Sequence, residues 1–532
     1  MNPDLIMHHG AVVTMDNDFH IFEAVAVKDG KIAAIGSDEE ILAYKSDHTD
    51  VIDLEGKTVL PGFIDAHQHM VNFGFNLLNV NCRKSSIAEV VEAIKERANN
   101  SNPDEWIIGW GFDEANFSEQ RKMDKRDFEG IPNPVYIMRY CHHAAVVNES
   151  ALELAGITNE TSVNNGIIEK DESGEVTGVL VEAAKGLVEA VMPPYTKDQM
   201  KEAVQLANDQ YIKEGITSVH EAGLGFFTDA FREFDTLKDM KEEGTLDVRM
   251  YLMVLEEYFE EFLEETASYL WDDRLKLGPM KLFADGTLSG KTAAVLSDFK
   301  NSPGEKGMLL HTFEKLKAIV EIAHKKGSQV SIHAIGDRTI TQVLDVYEEL
   351  YSEYPQENLR HRVEHATVTN PDILARMKKL GVIPVPQPSL VYFSGDVYQE
   401  TLDEPAVHNV FANKNFIDFD LKPAGSSDCP IIPPSPLLGI AAAMDRTTVN
   451  NNVFIPDQRI TLQEALRMYT IYAAYSSFEE DSKGTLEKGK LADMTVLPPN
   501  FMNYTAEEIK KAEVEMTLIG GKVVYRKNLV EI

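Results

Sequence analysis

His67 and His69 stand one residue apart at the end of the apolar run Val59-Leu60-Pro61-Gly62-Phe63-Ile64-Asp65-Ala66. Alternate side chains of a strand share a face, so both imidazoles can reach one point. Neutral imidazole is the commonest metal ligand. Two ligands do not complete a zinc shell, so the pair alone reads equally well as polar residues of a strand-end loop. Further candidates stand in or after short apolar runs downstream: His220, Lys281, His333, His365 and Asp428. Each alone has an ordinary explanation, such as a hydrogen-bonded histidine, a snorkelling lysine or a helix-capping aspartate. Gathered at one rim they would form a metal centre. That requires a fold that brings the ends of distant strands together.

The elements around them supply such a fold. After the first run come strand candidates at Thr217-Ser218-Val219-His220, Val248 to Val254, Met280-Lys281-Leu282-Phe283 and Gln329 to His333. Arg362-Val363-Glu364-His365, Val382-Ile383-Pro384-Val385 and Pro423 to Asp428 follow, making eight. Helical patterns fill the gaps. Phe313, Leu316, Ile319, Val320 and Ala323 recur at helical spacing before Gly327. Asn370-Pro371 and Thr461-x-x-Glu464 are helix-start signals. This alternation predicts a (β/α)8 TIM barrel over residues 58–72 and 200–485, with its site at the C-terminal ends of the strands.

Two other regions depart from the rhythm. Both chain ends are rich in strand and hairpin signals, among them Asp29-Gly30 and Gly520-Gly521. Neither end carries enough strands for its own core, so residues 1–57 and 486–532 are expected to build one small β-sandwich. Residues 73–199 are far too many for one crossover and predict a large insertion after barrel strand 1, a lid over the site that helps to define the substrate.

The chain has 532 residues and a formal net charge of −35. Such a polyanion repels nucleic acid and anionic membrane surfaces, which excludes both as expected partners. No run is long and apolar enough to span a membrane, and no secretory pattern opens the chain. Three scattered cysteines, Cys82, Cys141 and Cys429, do not form a disulfide framework. The expectation is a cytoplasmic protein acting on a small molecule. No Gly-x-Gly-x-x-Gly follows a strand to support a dinucleotide-binding fold.

The chain resembles the amidohydrolase superfamily, and within it amidohydrolase family 3, which includes enzymes similar to N-substituted formamide deformylase. The residues that carry the likeness are Pro61 to His69, Lys281 with Asp285-Gly286-Thr287-Leu288, Ile332-His333-Ala334-Ile335-Gly336-Asp337, Arg362 to Ala366, Gly425-Ser426-Ser427-Asp428 and Lys488 to Asp493. The resemblance implies that His67, His69 and Asp428 hold one zinc and that His333 and His365 hold a second. Lys281, carbamylated by CO₂, would bridge the two. It also implies hydrolysis of a C–N bond in an amide, formamide or cyclic amide, with Asp428 as general base and then acid. If Lys281 stays an amine, the alternative is one zinc on His67, His69, Asp428 and either His333 or His365. An ester hydrolase, isomerase or decarboxylase on the same site is the neighbouring alternative. A non-catalytic scaffold is the reading from another class. In the insert, Arg139 and His143 resemble an Arg…Gly-His-Ala stretch of the subgroup, with Cys141-His142 where an acidic residue and glycine are usual. Arg139, His143, Asp113 and His220 are the expected substrate-binding residues. A homodimer is usual for the family.

Overall fold

In the computed structural model the described residues are 2–140 and 143–527. Contacts divide the chain into two units, Met1–Met70 with Asn208–Ile532, and Val71–Ala207. No helix among the described residues is long and apolar enough to cross a membrane.

The termini build two packed sheets. One has four strands in the order Lys31–Gly36, Ala24–Lys28, Leu5–His8, Asp50–Asp53. The other has six, in the order Lys522–Arg526, Met516–Ile519, Met494–Leu497, Thr58–Pro61, Ala11–Val13, Ile21–Phe22. Leu5, Met7, Val25 and Val27 of the first pack in one core with Val12, Val59, Met494, Val496 and Leu518 of the second. Both signalled hairpins form. Asp29 and Gly30 have φ of 51° and 73°, and Gly520 and Gly521 have 57° and 76°, the paired positive values of a type I′ turn.

The apolar run ahead of His67 is not one barrel strand, as the sequence had led us to expect. Thr58–Pro61 pairs with Ala11–Val13 and Met494–Leu497 in the sandwich, and only Phe63–Gln68 enters the barrel. The break falls at Gly62, whose N–H donates to the Asp493 carbonyl at 2.9 Å. A Cβ there would lie 2.2 Å from Thr217 Oγ1, so only glycine fits the close approach. Both halves of the run are buried, which is why its hydrophobicity is unbroken.

The barrel sheet has seven parallel strands: Phe63–Gln68, Ile216–Leu224, Arg249–Leu255, Leu275–Phe283, Val330–Ala334, Arg362–His365 and Ile383–Val385. The eighth expected strand, Pro423 to Asp428, is irregular yet occupies the closing position. Ala424 N–H donates to the Pro384 carbonyl at 3.0 Å on one side. Gly425 O accepts from Ala66 N–H at 3.1 Å on the other. Regular pairing fails because Gly425 N–H turns to Met468 O (2.9 Å) and Ser427 N–H turns to the Asp65 carboxylate (3.0 Å). The surrounding helices begin where the capping residues stand. Thr312 caps Phe313–Lys325, Asn370 with Pro371 at the first position opens Pro371–Leu380, and Thr461 with Glu464 forms a capping box on Leu462–Met468.

A buried ion pair ties sandwich to barrel. Arg249 Nε and Nη2 donate to the two Asp493 oxygens at 2.7 and 3.1 Å, and Gly520 N–H adds a third donor at 2.8 Å. Removing Asp493 leaves the buried Arg249 guanidinium only the half-exposed Asp273 carboxylate, 2.9 Å from its Nη1. Asp493→Ala is therefore expected to lower unfolding stability by about 3–5 kcal/mol in a denaturant titration. A loss below about 1 kcal/mol would place the pair among weak surface bridges.

The second unit carries a six-stranded mixed sheet, ordered Gly166–Lys170, Val176–Glu182, Ala144–Val147, Val135–Arg139, Ile107–Phe112, Val80–Asn81. Alternate residues feed two cores. Val135 and Ile137 join the core with Ile87, Val90 and Ile94, while Tyr136 joins the one with Leu152 and Val188.

Candidate metal centre

The end of the first barrel strand is stitched to the irregular eighth segment by its backbone. Asp428 N–H donates to the His67 carbonyl and His69 N–H to the Cys429 carbonyl, both at 2.8 Å. Asp65 tightens the stitch by accepting from Ser427 Oγ (2.5 Å) and Ser427 N–H (3.0 Å). The result is convergence. Asp428 Oδ1 lies 3.5 Å from His67 Nε2 and 3.4 Å from His69 Nε2. One ligand atom from each of the three side chains lies within 4.8 Å of the others. Asp428 has φ 59°, and His365 and Ala366 have 67° and 42°. Left-handed backbone is uncommon at non-glycine residues.

The other strand ends bring a second group to the same place. The His365 ring centroid is 4.9 Å from that of His67 and 4.3 Å from that of His333. Lys281, on the fourth strand, is fully buried, and its Nζ has no hydrogen-bond partner among the described residues. It lies 4.7 Å above the Phe283 ring, which is in turn 5.4 Å from His333.

Three of the histidines have one nitrogen taken by a protein acceptor, which fixes the tautomer. His67 Nδ1 lies 2.5 Å from Glu364 Oε2. His365 Nδ1 lies 2.8 Å from Gln387 Oε1, whose own amide N–H groups donate to Val385 O and Ser426 Oγ. His333 Nε2 lies 3.0 Å from Gly286 O. The free lone pairs are thus Nε2 of His67 and His365 and Nδ1 of His333. Burial keeps these imidazoles neutral. It pulls His67 and His365 down to about 4 and His333 well below its usual value. Burial alone would raise the Asp428 carboxyl, but the hydrogen bond from His69 and the surrounding His67 and His365 imidazoles hold it well below its ordinary range. Burial also lowers the Lys281 ammonium to about 8, against the pull of Glu364 and Asp428.

This donor set fits a divalent metal. Neutral imidazole nitrogens and an ionised carboxylate are the forms that ligate. A buried amine without a hydrogen bond carries a penalty of about 1–3 kcal/mol unless something else engages it.

The amidohydrolase family profile matches residues 50–525. The chain belongs to the amidohydrolase family. Relatives of this amidohydrolase include the YtcJ protein of Bacillus subtilis (strain 168), 31% identical over 98% of this chain and 99% of that one. The N-substituted formamide deformylase of Arthrobacter pascens is 29% identical, covering 98% of each chain. Among solved structures, an uncharacterised metal-dependent hydrolase from Pyrococcus horikoshii OT3 superposes with a TM-score of 0.79 at 26% identity, over 94% of this chain and 99% of that one.

The other expected site residues of this amidohydrolase have the following partners. His220 is fully buried, its Nδ1 accepts from Arg362 Nη1 at 3.0 Å, and its ring meets Tyr251 edge-on at 5.2 Å. Asp113 caps the short turn Glu114–Asn116 by accepting from Ala115 N–H at 3.2 Å. Arg139 Nε donates to Glu114 at 2.7 Å, and Arg139 Nη2 is 3.6 Å from Asp113. His143 is largely exposed and pairs with Glu182 at 2.9 Å. Cys141 and His142 lie outside the described residues.

The roles of Glu364, Arg362, Gln387 and Asp285 emerge only from the fold. The Asp285 carboxylate accepts from the backbone N–H groups of Ala294 (3.1 Å), Ile335 (3.0 Å) and Gly336 (2.9 Å) and from Thr339 Oγ1 (2.7 Å), which joins the loops after the fourth and fifth strands. One signal was available for the Arg-Val-Glu run: two charged residues, alternating in a strand buried on both faces, must find each other or a partner inside.

Proposed function

We propose that this amidohydrolase hydrolyses a C–N bond in an amide, formamide or cyclic amide at a zinc centre. The observation that carries the reading is the convergence of His67, His69 and Asp428 with His333 and His365, around a buried Lys281 that has no hydrogen-bond partner. His67, His69 and Asp428 would hold one ion, and His333 and His365 a second. Lys281 would join them as its carbamate, formed when Nζ bonds to the carbon of CO₂ and releases a proton. When bound, the zinc pair supplies a Lewis acid and brings the pKa of a coordinated water to about 7. Asp428 would take a proton from the attacking water and pass it to the leaving nitrogen. The buried second nitrogens of His67, His333 and His365 hold their rings at fixed angles while the proton moves. The relative that deformylates N-substituted formamides supports an amide substrate.

A screen of N-formyl, N-acyl and cyclic amides against zinc-reconstituted protein tests the reading, with esters as the control set. Amine release that is lost on chelation and restored by zinc is expected. Release indifferent to chelation would contradict it.

Phe226 gives the reading a second handle. It is 49% exposed, stacks on His69 at 5.1 Å and touches the Phe283 ring at 5.8 Å. An apolar substituent on a substrate held at the centre would meet this wall. Phe226→Ala is expected to raise KM about 10-fold or more for amides with an aryl or alkyl substituent and to leave small formamides unchanged. An equal effect on both would remove Phe226 from substrate selection.

A further inference from the structure

We infer that Glu364, held by Arg362, is a positioning residue that locks His67 in its metal-binding orientation and sets the zinc affinity of the centre. The inference rests on the metal reading above and adds to it. The Glu364 carboxylate uses both oxygens fully. Oε2 accepts from His67 Nδ1 at 2.5 Å and from Arg362 Nη2 at 3.0 Å. Oε1 accepts from Arg362 Nε and Ser331 Oγ, both at 2.7 Å. The same guanidinium donates to the Ala66 carbonyl at 2.6 Å and to His220 Nδ1 at 3.0 Å. Arg362 therefore grips both the carboxylate that orients the His67 ring and the peptide unit that carries His67.

Stability alone does not account for this arrangement. Both side chains are 0% exposed. A buried ion pair is on average no more stabilising than apolar residues of the same volume, because desolvation offsets the attraction. Four hydrogen bonds on one carboxylate do give rigidity and a fixed tautomer. His69 provides the contrast within the same pair of ligands. Its Nδ1 is buried with no hydrogen-bond partner among the described residues, and its ring is placed by the Phe226 stack and the backbone stitch. The two histidines of the His-x-His run are thus unequal, and the lock acts on His67.

The test uses the full-length apo protein and zinc alone. Zinc dissociation constants are measured by competition with a chromophoric chelator for wild type, Glu364→Gln and the double variant Arg362→Met/Glu364→Gln, alongside thermal unfolding of each apo form. Glu364→Gln leaves the Arg362 charge unpaired, so its apo Tm falls. The double variant removes both charges and regains most of that Tm. Zinc binding is expected to weaken about 10- to 100-fold in both variants, the effect usual for losing a partner behind a metal ligand. A double variant with wild-type Tm and wild-type zinc affinity would overturn the inference and leave the pair a packing feature. A wild-type chain that takes up no zinc would contradict the metal reading itself, a result distinct from the first.

Discussion

Asp428→Asn is expected to lower kcat for amide hydrolysis by about 10²–10⁴-fold while zinc stays bound, because general acid–base catalysis contributes on that scale. The substitution preserves shape. The backbone bonds from Asp428 N–H to His67 O and from His69 N–H to Cys429 O do not involve the carboxylate, so the stitch between first and eighth segments survives. The lost property is basicity. In the native protein the group is ionised, since the hydrogen bond from His69 and the surrounding His67 and His365 imidazoles outweigh burial. An amide oxygen can still ligate weakly, but it cannot accept a proton near neutral pH. Metal content and turnover, measured together on one preparation, separate the two roles. Loss of turnover with zinc retained supports the proton-carrying role. Loss of both, with turnover restored by excess zinc, would reduce Asp428 to a ligand alone.

The second large effect is expected at Lys281. Lys281→Ala should reduce zinc from about two ions per chain to about one and lower kcat by at least about 100-fold, because the two-metal clamp is lost. The native amine is enclosed, without a hydrogen bond, and burial holds it at about 8, so a substantial neutral fraction is available to react with CO₂. Truncation to alanine leaves a cavity at the end of the fourth strand. A small carboxylate such as acetate or propionate supplies the same pair of anionic oxygens and should restore part of the activity and the second zinc. Unchanged zinc content in the alanine variant would show that Lys281 does not bridge.

Much of the fold was legible in the sequence because local chemistry agreed with the outcome. Asp29-Gly30 and Gly520-Gly521 were readable as hairpins since their turn type needs positive φ at both positions. Asn370-Pro371 and Thr461-x-x-Glu464 were readable as helix starts since each satisfies the first-turn N–H groups. Two features were not legible. The break at Gly62 hides inside a run whose two halves are both buried, one in the sandwich and one in the barrel. The eighth segment loses regular pairing to partners distant in the chain, Met468 and Asp65.

The site divides in the same way. His67, His69 and Asp428 converge as side chains of a type that ligates metal, which composition and strand-end position could indicate. The groups that orient them could not be ranked. Glu364 reaches His67 across 297 residues of chain, and nothing local to Arg362-Val363-Glu364 says which histidine it will hold. His220 shows the converse. Its strand-end position resembled that of the other histidines, yet the Arg362 guanidinium turned it into the barrel interior.

Anomalous diffraction at the zinc absorption edge, on crystals of the zinc-loaded protein, tests the central claim most directly. The geometry described here requires a strong peak about 2.0–2.2 Å from Nε2 of His67, Nε2 of His69 and the Asp428 carboxylate. The two-zinc reading predicts a second peak at Nδ1 of His333 and Nε2 of His365. Zinc peaks found only elsewhere on the molecule, with none in reach of His67, His69 and Asp428, would contradict it.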